Sequence, residues 1–167
     1  MSPYAERILD AFFQQIRQIP LTTVSGLARG VDHKCHQLSM QYQIPTIAIL
    51  GGGLRRYLKS NAKKLISDIV AQGGLVLSEF KLDFQPTTRS FPQRNRLIAA
   101  LSDVLFLPEA REGSGSLITA NFALQMKKDL FIAPNQLFSP NGKGSNQLLS
   151  TGKAHLLSNF DQILEKF

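Results

Sequence analysis

The chain has 167 residues, 43% hydrophobic and 19% charged, so it suits one domain with a real core and is globular rather than disordered. Nineteen Lys and Arg against twelve Asp and Glu give a net charge of +7, which favours polyanionic partners through counterion release and steering. The longest apolar run, Ile44 to Leu50, is interrupted by Pro45 and is far short of the roughly 20 residues that cross a bilayer. The first residues lack the features of a signal peptide, and the single Cys35 fits a reducing cytoplasm.

Taken in chain order, Ser2-Pro3 reads as an N-cap with proline at the first helical position. Ile8, Leu9, Phe12, Phe13 and Ile16 follow at helical spacing, predicting a helix over 4–18. Residues 21–25 predict a strand, 32–42 a helix and 45–50 a buried strand. Residues 61–72 predict an amphipathic helix capped by Asn61 and stopped by Gly73-Gly74. A strand at 75–79, a helix at 94–101, a strand at 103–108, a helix at 116–127 and a strand at 130–134 continue the alternation. A helical pair at 145–151 and 159–166 ends it.

Short apolar strands alternating with helices predict an α/β fold, a three-layer, Rossmann-like, doubly wound and mostly parallel sheet over 1–167. In such sheets ligands bind beyond the carboxyl ends of the strands. Those ends read SGLARG (25–30), GGGLRR (51–56), SEF (78–80), PEAREGSGS (108–116) and PNQ (134–136), so glycine, serine and arginine gather on one edge.

SGLARG offers Gly26, Gly30 and a helix start with Arg29 as an anion fork; solvated Arg29 beside permissive glycines is the plain alternative. EGSGSLITA repeats the device with Ser114, Gly115 and Ser116, though it matches neither a Walker A loop nor G-x-G-x-x-G. GGGLRR is similar, with Arg55 and Arg56 supplying charge. In TTRSFPQRNR, Arg89, Arg94 and Arg96 surround Phe91, the combination of cations and an aromatic face that holds single-stranded nucleic acid. One of these arginines is expected to pair with Glu79 or Glu109. His33 and His36 lack a third ligand at suitable spacing, so no metal is expected.

These residues carry a resemblance. SGLARGVDHKCH, TIAILGGGL, GGLVLSEF, FPQRNRLIAALSDVLFLPEAREGSGSLITANFAL and KGSNQLLSTGKAHLL resemble, in order, the DNA-processing protein A family (DprA, also called Smf). The resemblance implies a Rossmann-like domain that binds and protects single-stranded DNA and helps load the RecA recombinase in natural transformation. It also implies a homodimer, no enzymatic activity and no cofactor. Carried over by position, the DNA-facing residues are Ser25, Gly26, Arg29, Arg89, Phe91, Arg94, Asn95 and Arg96, with Ser114, Gly115 and Ser116 along the same edge. Members usually begin the domain with a strand ending in a Gly-Ser/Thr-Arg turn, which this sequence lacks, as it lacks the family's C-terminal winged-helix module. An alternative reading is a nucleoside monophosphate phosphoribohydrolase of the lonely-guy type, dependent on Glu109; another is a degenerate protein–protein module.

Overall fold

Residues 1–167 are all described by a computed structural model. Its strands pair only in parallel, in two sheets of three. The chain divides into two compact units, Arg17–Ile98, and Met1–Ile16 together with Ala99–Phe167. The parallel α/β class expected from the alternation is present. The strands fill two sheets because β1 (Thr23–Ser25) pairs only with β2 (Thr46–Ile49), and β4 (Val104–Leu107) only with β5 (Asp129–Ile132).

In the unit Arg17–Ile98 the strand order is β1-β2-β3, with β3 at Leu75–Leu77 and Ile47 opposite both Val24 and Leu75. α2 (Val31–Gln41), the short α3 (Leu54–Leu58) and α4 (Lys63–Ala71) make the connections. Leu27, Ala48, Leu50, Ile66 and Ile69 form the core, where β2 and the turns after β1 and β2 meet one stripe of α4. Gly73 closes α4 at φ 79° and Gly74 N–H donates to Ile69 O, so the predicted stop is real. The cap is not the predicted Asn61: the Ser60 hydroxyl accepts from Ala62 N–H at 3.2 Å.

The other unit has strand order β4-β5-β6, with β6 the two-residue strand His155–Leu156. α6 (Gly115–Gln125) and α7 (Lys143–Ser150) join these strands, and α8 (Asp161–Leu164) follows. α1 (Pro3–Ile16) belongs here, its Phe12 ring 5.1 Å from Phe106 and 5.4 Å from Phe160. The predicted start of α1 holds: Ser2 Oγ accepts from Ala5 N–H, and Pro3 has no N–H to leave unpaired.

α5 runs Ser90–Leu101, four residues earlier than the predicted 94–101. Pro92 falls in its first turn, where proline is tolerated because those N–H groups need no helical partner. Thr87 and Ser90 cap that turn reciprocally, Thr87 N–H donating to Ser90 Oγ and Ser90 N–H to Thr87 Oγ1.

Candidate nucleic-acid interface

The start of α5 is fastened to the turn after β2. Ser90 Oγ donates to Gly51 O at 2.6 Å, and the Phe91 ring lies on Gly51, where a Cβ would fall 2.6 Å from Phe91 Cδ1. Gly52 meets the Pro86 ring in the same way, and Gly53 meets the main chain of Lys81 and Leu82. Gly53 N–H donates to Phe84 O and Arg55 N–H to Leu82 O. The GGGLRR turn is therefore not the open anion cradle its composition suggested, because its own chain occupies both the space and two of the donors at the start of α3.

The same holds for SGLARG. Arg94 is 3% exposed, and its Nη1 donates to Gly26 O and Ile49 O while its Nε donates to Asn95 Oδ1. Gly26 is glycine because this guanidinium covers it; a Cβ there would sit 2.6 Å from Arg94 Nη2. Burial draws the Arg94 pKa down, opposed by the charge of Asp32. At the start of α2, Asp32 Oδ2 accepts from Ala28 N–H at 3.0 Å, so the chain supplies the anion that the helix dipole favours. Ser25, Gly26, Arg94 and Asn95 are all buried, which removes them from the DNA-facing set expected from the sequence.

Nearby titratable groups are also interior. His36 is fully buried, its Nδ1 2.8 Å from Thr46 Oγ1, and burial lowers its pKa to about 4. The Cys35 thiol is pushed up to about 12, first by burial and then by Asp32. No group of three or more His, Cys, Asp or Glu is placed to hold a metal ion.

Arg96 pairs with Glu79, as expected of one arginine in the cluster. Arg29 and Arg89 are exposed, and Phe91 is 40% exposed. Phe91 forms one wall of a cleft of about 410 Å³, with Tyr57, Arg56, Lys59, Gln85 and Pro86 among the other lining residues. Arg56 Nε donates to the main-chain oxygen of Asp83, and burial raises the Tyr57 pKa. Tyr57 and Lys59 were missed from the sequence. The signal available was RRYLKSNAKK, which carries five cations and no acid.

Ser114, Gly115 and Ser116 belong to the other unit. Ser114 is the N-cap residue of α6, with an extended backbone and a buried hydroxyl that makes no hydrogen bond. Gly113 stands at φ 69° with open space around its Cα, and Gly115 is exposed. Glu109, the carboxylate on which a hydrolase would depend, accepts hydrogen bonds from both Ser2 N–H and Ser2 Oγ, anchoring the start of α1.

Known proteins share this fold. The chain is similar to Protein Smf of Escherichia coli (strain K12), 36% identical over 162 residues, which are 97% of this chain and 43% of that protein. It superposes on DNA processing protein A from Helicobacter pylori, a protein described for its single-stranded DNA binding mode. The TM-score is 0.86 and the identity 34%, covering 99% of this chain and 74% of that one. The corresponding protein of Streptococcus pneumoniae gives a TM-score of 0.87 and 32% identity, covering all of this chain and 58% of that one. The chain thus spans less than half the length of the E. coli relative. With the family profile matched over residues 1–167, the chain belongs to the DNA recombination-mediator protein A family.

Proposed function

We propose that this chain binds single-stranded DNA without catalysis, with Phe91 as its stacking platform. The observation that carries the reading is the Phe91 ring itself, fixed on Gly51 and still 40% exposed in a cleft with Arg56 and Lys59. A held aromatic face loses little freedom when a base stacks on it, and stacking contributes about 1–3 kcal/mol per base with little sequence preference. The net charge of +7 and the relative from H. pylori support the same partner. Within this reading Arg29 and Arg89 are phosphate contacts, and Arg94 and Asn95 position the turn beneath. Protection of incoming DNA, assistance to RecA loading in transformation and self-association are the family roles it extends to.

Titration of fluorescent oligo(dT) at several salt concentrations tests it. Phe91→Ala should weaken binding about 5- to 150-fold, the equivalent of one lost stack, and Phe91→Leu, which keeps an apolar side chain against Gly51 without the aromatic face, should weaken it as well. Absence of binding by the unmodified chain, or an affinity indifferent to Phe91→Ala, overturns it.

A further inference from the structure

The cleft beside Phe91 opens onto a surface that the fold does not explain. Residues 55–64, RRYLKSNAKK, run from α3 into the first turn of α4 and carry five cations without an acid. Two of these are ion-paired, Arg55 with Asp83 and Lys64 with Asp68 at 2.7 Å. The remaining three, Arg56, Lys59 and Lys63, are paired with no carboxylate, and Arg56 and Lys59 line the cleft itself. Helix stability gives a reason for Lys64, which pairs with Asp68 one turn on, but none for Lys63, since a cation opening a helix opposes its dipole and α4 has no acid in its first turn. Clustered unpaired cations do favour a phosphate chain, which releases counterions as each phosphate is neutralised.

We propose that the α3–α4 corner is a phosphate track, on which the backbone of a single strand stacked on Phe91 continues across Arg56, Lys59 and Lys63. This rests on the single-stranded DNA reading and adds to it a direction and a sequence-blind extension of the footprint. The aromatic wall of the cleft favours an unpaired strand, whose bases can leave the stack, over a duplex.

The test compares two variants with equal charge loss. One carries Arg56→Gln, Lys59→Gln and Lys63→Gln; the other carries Arg7→Gln, Lys128→Gln and Lys153→Gln, in the unit without the cleft. Salt titrations with oligo(dT) should show the first variant's slope of log K against log salt shallower by about 2, at about 0.7 per lost phosphate contact. The second variant should keep the original slope. Lengthening the oligo(dT) should tighten binding to the unmodified chain and give the first variant less of that gain. Equal slopes in the two variants, or an undiminished length effect, overturn the track even where Phe91→Ala weakens binding. Tighter binding of duplex than of oligo(dT) overturns it as well. If the unmodified chain binds no oligo(dT), the broader reading fails along with the track.

Discussion

Two glycine-rich turns look alike in sequence and differ in physics. In Gly51-Gly52-Gly53 every position is a close approach: the Phe91 ring, the Pro86 ring and the main chain of Lys81-Leu82 stand where side chains would be. None of the three has a positive φ, so glycine is needed there for space. In the turn around Ser114, Gly113 sits at φ 69° with nothing within 4 Å of a built Cβ, so glycine is needed for its backbone conformation. The first turn is filled by its own chain, whereas Gly113 in the second meets no atom. Composition alone does not separate a packed glycine from one that leaves room for a ligand.

The comparison breaks most readily at Arg94. Arg94→Ala removes the guanidinium donor from the buried carbonyls of Gly26 and Ile49, and should lower stability by about 2–6 kcal/mol at about 1–3 kcal/mol for each unpaired group. Urea denaturation measures this. An unchanged midpoint would mean that the filled turns do not depend on the guanidinium.

Acid should act on the same region. His36 has a folded pKa of about 4 against an ordinary value of 6.5, so between these pH values the unfolded chain binds more protons. Its contribution is complete above about pH 6.5 and is lost as pH falls to about 4, a change on the order of 3 kcal/mol. Protonation also places a second cation near Arg94, whose charge already lowers the His36 pKa. Stability measured from pH 7 to 4 should fall more steeply for the unmodified chain than for His36→Gln; parallel curves contradict the assignment.

The glycines themselves give the smallest effects and the sharpest contrast. Gly51→Ala drives a methyl group into the Phe91 ring and should cost about 1–3 kcal/mol by overpacking, with the displaced ring weakening oligo(dT) binding. Gly113→Ala meets no atom and should cost about 1 kcal/mol from its left-handed backbone alone. Thermal unfolding of the pair decides it, and equal losses would remove the distinction between space and conformation.

Much of the fold was readable because its signals are local. Ser2-Pro3 fixed the start of α1, and Gly73-Gly74 the end of α4. Apolar runs marked β2, β4 and β5. Elements set by few residues were missed: α3 has five residues and β6 two, too short for a period to show. The early start of α5 rests on the reciprocal cap between Thr87 and Ser90, which only the folded turn brings together.

The candidate site divided differently. Phe91 and Arg89 stand at the surface where an aromatic-and-cation reading puts them, and the Arg96–Glu79 pair follows from the shortage of acids. Arg94 was misplaced because a polar, charged residue two positions from Arg96 gives no local sign of which one turns inward. The sequence determined the alternation of elements, the basic charge and the residue types available for gripping a polyanion, all properties of neighbouring residues. Tertiary structure alone decided that Arg94 would satisfy buried carbonyls, that three glycines would be filled, and that Tyr57, Arg56 and Lys59 would meet Phe91. Those outcomes depend on which distant main-chain groups need partners once the strands have paired.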